Sequence, residues 1–321
     1  MNRITSLLLG ILLAASIALA GTNGGTGGAF SRMGAGIRAK GLGNAFCAVA
    51  EGPSALYFNP GALPFHQKKE FSASSVNLAL DRRMDFIGFS TPLKPKAEGK
   101  VVNAGVALGW IHASVSDIDS RDYDGAPLEM IDMSSNLFQF GFGIQFHEKL
   151  GAGIGVKKIY ETFGKIGDEE SSVNGDGFGI DAGVFARPIE HLSVGAQIKD
   201  VNSKTTWNTT NYWSQGTSKT DEWPLQYRIG LAYERSGILG AFDLEGSEEN
   251  EVKTHAGVEG RTAISDRQWI AGRLGLDGSD VNIGAGFGFA FWKVLSKVDL
   301  VYTLESVAPD DAIAISWGVE F

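Results

Sequence analysis

Residues 138–146 read Phe138-Gln139-Phe140-Gly141-Phe142-Gly143-Ile144-Gln145-Phe146. A large apolar side chain fills every second position, with Gln or Gly between. Successive strand side chains point to opposite faces, so the segment reads as a ribbon with one greasy face and one small or polar face. In water that face is an aggregation hazard unless something covers it. The design repeats in 281–291, where Val281, Ile283, Phe287, Phe289 and Phe291 alternate with Asn or small residues. It repeats again in 298–305 and 227–234. The chain ends on Ile313-Ala314-Ile315-Ser316-Trp317-Gly318-Val319-Glu320-Phe321, again two-faced and finishing on an aromatic. Hydrocarbon suits one side and a polar lumen the other, the pattern of the closing strand of a transmembrane β-barrel.

Alternating segments fall near 71–80, 84–92, 101–113, 136–147, 150–161, 176–187, 192–201, 225–236, 238–246, 252–262, 268–276, 281–291, 297–305 and 312–321. Most are close to the ~9–11 residues that a tilted strand needs to cross a bilayer. The expectation is an all-β, antiparallel barrel of about 14 strands. Connection lengths point the same way. Short turns at Glu148-Lys149, 188–191, Ser236-Gly237, 263–267 and 292–296 follow even-numbered strands; long connections at 114–135, 163–175 and 202–224 follow odd-numbered ones. Outer-membrane barrels keep short turns on the periplasmic side and long loops outside. A tight turn at 81–83 and a longer connection at 93–100 run against the trend.

Composition fits. The 321 residues include 43 glycines, a single cysteine (Cys47) and a formal net charge of −9. Mean hydropathy is −0.02, as expected when half of each strand faces lipid. Acidic balance argues against nucleic acid as a partner, and one cysteine excludes an intramolecular disulfide framework. Arg3, the apolar run 7–19 and Ala18-Leu19-Ala20 read as a secretory signal peptide over 1–20. The combination places the chain in the outer membrane of a diderm bacterium, with outer-membrane lipids and the barrel-assembly machinery as partners. Ile315, Trp317, Val319 and Phe321 form the C-terminal assembly signal.

Residues 21–67 do not alternate. They are rich in Gly, Ala and turn residues, and read as a compact segment packed against something, ahead of a barrel over 68–321. Asn59-Pro60 makes a rigid turn, because proline fixes φ and Asn bonds local backbone. The candidate plug residues are Tyr57, Phe58, Asn59, Pro60, Gly61 and Leu63. Gly105 and Gly109, facing inward beside Trp110, are candidates for a lateral opening, since interior glycines permit bulges. The acidic stretch 116–132 reads as a solvated loop, lacking the spacing of an EF-hand. The stretch 202–224, with Trp207, Tyr212, Trp213 and Trp223, reads as either an aromatic lid or an interfacial girdle.

Gly284-x-Gly286-x-Gly288 is a run of inward strand glycines, not a dinucleotide loop, because no helix follows. The five histidines show no metal spacing, and there is no Gly-x-Ser-x-Gly elbow. No catalytic residue, metal or cofactor is expected, and the chain reads as no enzyme.

In 38–64, a Gly-rich run, Phe46-x-Ala48-x-Ala50, then Ser54-Ala55-x-Tyr57-x-Asn59-Pro60 resembles the PorV/PorQ family of outer-membrane proteins. More distantly it resembles FadL-type transporters of hydrophobic compounds. The resemblance implies a fourteen-stranded barrel with an N-terminal plug, or hatch, in the lumen. It departs at Gly61, where the family pattern has Ala, so identical plug geometry is not implied. Three roles follow. The first is transport of hydrophobic or amphipathic small molecules, captured in an apolar pocket against the plug. The second is that of a PorV-like accessory of type IX secretion binding protein cargo at the cell surface. The third is a general porin, which the many small inward residues disfavour.

Overall fold

The computed structural model describes residues 26–94, 96–97, 100–101, 103–166, 171–210, 216–248 and 252–321. The signal-peptide expectation for 1–20 lies outside them. Fourteen of the described strands form one closed antiparallel barrel: β1 Glu70–Leu78, β2 Arg82–Leu93, β3 Ala104–Ile118, β4 Ile131–His147, β5 Leu150–Ile166, β6 Ser171–Ile189, β7 Leu192–Asn208, β8 Gln226–Arg235, β9 Ile238–Ser247, β10 Lys253–Ser265, β11 Gln268–Asp277, β12 Asp280–Phe291, β13 Val294–Leu304 and β14 Ala312–Glu320. Each pairs with its sequence neighbours. The cylinder closes where β14 meets β1, from Glu70↔Glu320 to Asn77↔Ile313.

Side-chain direction follows the alternation. Phe138, Phe140 and Phe142 are exposed on the outside, while Gln139 is buried and Gly141 and Gly143 point inward. On β14, Ile313, Ile315 and Trp317 face out, and Ala312, Ala314 and Ser316 face in. An apolar outer wall with every ladder bond satisfied by closure is what a bilayer demands of strands. The fold is a transmembrane antiparallel barrel, as the alternation predicts.

Two features differ from the sequence reading. The described parts of 163–175 (163–166 and 171–175) and much of the described part of 202–224 are strand rather than loop. β4, β5, β6 and β7 run 17, 17, 19 and 17 residues, beyond the ~9–11 that cross a bilayer. β7 is flanked there by a short strand, Ser218–Glu222. Beyond the membrane the outer face is polar too, so the ladder continues without an apolar stripe to betray it. The longer connection at 93–100 contains a small hairpin, Lys96–Ala97 with Lys100–Val101.

Residues 26–67 lie inside the barrel. They contain two short helices, α1 Ile37–Gly41 and α2 Ala55–Phe58, and 3-10 turns at Ala29–Arg32, Gly52–Ser54 and Pro60–Phe65. The apolar core therefore sits in the lumen. Ile37, Leu42, Phe46, Leu56, Phe58 and Leu63 of the plug are fully buried, together with Phe86, Ile111, Leu137, Ile159 and Phe185 of the wall.

Candidate functional site

The plug meets the wall backbone to backbone at a series of inward wall glycines. A Cβ built at Gly105 would lie 2.2 Å from Leu63 O, at Gly153 2.3 Å from Pro60 O, at Gly195 2.3 Å from Cys47 O, and at Gly257 2.4 Å from Leu42 O. Gly143 and Gly275 receive Pro60 and Gly43 in the same way. These six positions span β3 to β11, so the seat runs most of the way around the barrel. The inward small residues that the sequence shows are thus matched to the plug's own main chain.

Asn59 braces the seat. Its Nδ2 donates to Cys47 O at 3.0 Å within the plug and to Val184 O of β6 at 3.0 Å, and its Oδ1 accepts from Gly61 N at 3.0 Å. Pro60 follows at the first position of a 3-10 turn, where its missing N–H leaves no gap. Gly61 explains the departure from Ala: a Cβ there would be 2.7 Å from Gly183 O and 2.9 Å from Phe185 N. Tyr57 OH donates to Ser31 O at 2.7 Å, and Tyr57 O accepts from Gln197 Nε2 at 2.8 Å. The Tyr57, Phe58 and Phe46 rings stack edge-on in series, at 4.7 and 5.3 Å. The six plug candidates therefore form one contiguous contact.

A second set of anchors is polar and comes from wall strands far along the chain. Asp243 Oδ2 accepts from Phe46 N and Cys47 N, each at 2.9 Å. Arg38 makes a bidentate pair with Glu259, both bonds at 2.9 Å, and Glu259 also binds Arg273. Arg228 Nη1 donates to Asn44 O at 2.8 Å, Asn44 Nδ2 to Asp277 Oδ2 at 2.8 Å, and His255 Nδ1 lies 3.0 Å from Gly43 O. Arg228, Asp243, Glu259 and Arg273 stand out in the sequence as scattered inward charges. Their shared target, the plug backbone, does not, and Gln197, His255 and Asp277 carry no signal beyond inward position. Charge-assisted bonds of this kind are about twice as strong as neutral ones.

Gly105 and Gly109 lie on a continuous ladder. β3 pairs with β2 from Leu93↔Ala104 to Arg82↔Val115, and with β4 from Ala104↔Ile144 to Val115↔Met133. Gly105 backs Leu63, and a Cβ at Gly109 would be 3.4 Å from Leu56. Trp110 stacks on Phe138, with ring centroids 6.3 Å apart. The wall is irregular instead at β6–β7, where the register shifts between Phe178 and Ile180 and again between Ile180 and Ala182. Asp200 and Asn202 adopt positive φ there. Inside this bulge Lys157 Nζ bridges Asp181 at 2.7 Å and Asp200 at 2.6 Å.

At the long-loop end, Trp223 is buried against Gly27, Gly28 and Phe30, its Nε1 donating to Thr205 Oγ1 at 3.1 Å. It packs over the start of the plug rather than on the outer wall. Tyr212 and Trp213 lie outside the described residues. In the acidic stretch, Asp122 Oδ1 accepts from Asp124 N and Ala126 N of its own turn.

At the short-turn end, a cavity of about 370 Å³ opens beneath the plug. It is not the apolar recess expected against Phe58–Leu63. Of those plug residues only Ala62 reaches it, and charged groups from the strand ends line much of it. Glu51 faces it from the plug. Burial alone would raise this carboxyl, but Arg38, with Lys297 and Arg261 beyond, brings it down to about 2. Burial pushes His66 down to about 4.

No protein-family model matches the chain, and no curated protein matches it. The PorV/PorQ resemblance thus gains no support beyond residues 38–64. Solved structures do match in fold. The Pseudomonas putida toluene transporter TodX aligns with a TM-score of 0.59 at 12% identity, covering 89% of this chain and 97% of that one. The Ralstonia pickettii toluene transporter TbuX gives 0.54 at 12%, covering 89% and 97%. A Pseudomonas aeruginosa FadL homologue gives 0.55 at 10%, covering 87% and 96%. At such identities the likeness is one of architecture: this chain has the fold of the FadL-type outer-membrane transporters.

Proposed function

We propose that this chain is an outer-membrane channel admitting small hydrophobic or amphipathic compounds, with its N-terminal segment as the stopper. The observation that carries the reading is the seat. A lumen filled backbone to backbone and pinned by buried charge pairs is unlike the open, water-filled channel of a general porin. The shared fold with toluene transporters supports the reading at the level of architecture. In this reading Tyr57, Phe58, Asn59, Pro60, Gly61 and Leu63 are the part of the stopper that shifts. A sideways exit at Gly105 and Gly109, beside Trp110, requires Leu63 and Leu56 of the stopper to withdraw and the continuous ladder there to part. A cleaved signal peptide over 1–20 exports the chain, and Ile315, Trp317, Val319 and Phe321 present it to the assembly machinery.

The test is uptake of radiolabelled toluene and oleate by cells with and without the chain. Saturable uptake that depends on the chain is expected; none above the empty-vector level for either compound overturns the reading. A secretion accessory role is favoured by one feature, the exposed Tyr123, Leu128 and Met130 on the long-loop side. A pull-down from a secreting strain with and without that loop tests it.

A further inference from the structure

The cavity beneath the plug holds a cation that its neighbours do not neutralise. Ion pairs engage Arg38, Lys68, Arg261, Arg273 and Lys297 around the lining. Arg187, near the short-turn end of β6, makes no ion pair among the described residues. Its guanidinium lies instead over the Phe65 ring of the plug at 5.1 Å and the Phe185 ring of the wall at 5.5 Å. Those rings are themselves 5.1 Å apart, so plug and wall together build an aromatic shelf under one arginine. Val49 and Leu239 extend the apolar surface.

We propose that this cavity binds a small monocarboxylate with an apolar body, its carboxylate on Arg187 and its hydrocarbon on the partly exposed Phe65 and Val49. A guanidinium that sits over aromatic rings without an ion pair has an N–H fork to offer, and that fork matches a carboxylate in two parallel bonds. The volume falls within the ~300–1,000 Å³ of small-ligand sites. The carboxylates that act on Arg187 from a distance, Glu234 and Glu51, set the charge of the guest. Their negative potential opposes a dianion more than a monoanion. His66, with a buried Nε2 that has no hydrogen-bond partner among the described residues, lines the same space. Burial keeps it neutral at pH 7, so Arg187 alone supplies the anion preference. The site goes beyond the transport reading, because the plug seat separates it from the long-loop end.

The experiment is calorimetric titration of the full chain in nanodiscs with decanoate, using 1-decanol and decyl phosphate as comparators and empty nanodiscs as background. Decanoate binds saturably above background. Arg187→Gln weakens it tenfold or more, as loss of a charged hydrogen-bond pair implies, and Glu234→Gln tightens it. Heat-modifiable migration on gels shows that both variants fold. The proposal is overturned if decanoate does not saturate, if Arg187→Gln binds as the parent does, or if decanol binds equally well. Tight, Arg187-dependent binding of decyl phosphate overturns the choice of a monocarboxylate. Failure of toluene and oleate uptake would leave all of these outcomes unchanged.

Discussion

Gly61→Ala is the sharpest probe of the seat. The added methyl would sit 2.7 Å from Gly183 O and 2.9 Å from both Gly183 C and Phe185 N. All three are main-chain atoms of β6, held in ladders on both sides, so no side chain can swing away. The plug must back off and stretch the Asn59–Val184 bond now at 3.0 Å. Overpacking of this kind costs about 1–3 kcal/mol, which is about 5- to 150-fold in the population of displaced plug. Cys47 reports that population. It is the chain's only cysteine, it is completely buried, and burial pushes its thiol well up, so alkylation waits for opening. When opening and closing are fast, the labelling rate follows the open fraction. Gly61→Ala should therefore label about 5- to 150-fold faster than the parent in intact nanodiscs. Gly272→Ala is the control: a methyl there meets nothing within 4 Å, so its rate should stay within about twofold. Labelling of Gly61→Ala at the parent rate would refute the backbone seat.

Asp243→Ala strips the carboxylate acceptor from Phe46 N and Cys47 N, while Arg228 keeps Glu245. Hydrogen bonds to a charged group are worth about 1.5–3 kcal/mol each, so losing both should accelerate Cys47 alkylation by about a hundredfold or more. The His66 group, ordinarily near 6.5 and held at about 4 in the plug, favours the neutral form when docked. Plug protection is therefore full above pH ~6.5, falls as pH drops toward 4, and levels off below. Hydrogen exchange over residues 46–50, divided by the intrinsic rate, should show that slope, and His66→Gln should remove it. Phe140→Arg, on the outer face, should lower barrel stability by about 2–4 kcal/mol in a bilayer, read as a reduced urea midpoint for loss of heat-modifiable migration. Gly260→Ala, with open space around it, should leave that midpoint in place.

Most of the barrel was legible because a bilayer enforces a period of two. Phe138 to Phe146 and Ile313 to Phe321 carry it in every residue, and all fourteen segments read from the sequence coincide with strands. Legibility stopped at the membrane edge. In Lys204-Thr205-Thr206 the outward residues are polar while Thr205 is buried inside, so no greasy stripe marks the strand. Inside the lumen, composition showed that small residues face in, yet not what they hold. Arg38 and Glu259 are 221 positions apart, a pairing that no local pattern encodes. Gly61 illustrates both sides. Its departure from Ala was visible, whereas its cause, the β6 main chain at van der Waals distance, belongs to three dimensions.

The closure between β14 and β1 has a consequence for biogenesis. The stopper precedes β1 in the chain yet docks on β10 and β11, among the last strands to be made. A body that fits its sleeve main chain to main chain cannot be threaded in after the sleeve is shut. The N-terminal segment must wait in place while the staves curl round it, so it serves as the mandrel on which the tube is wound, and a chain lacking it should zip its final seam more slowly.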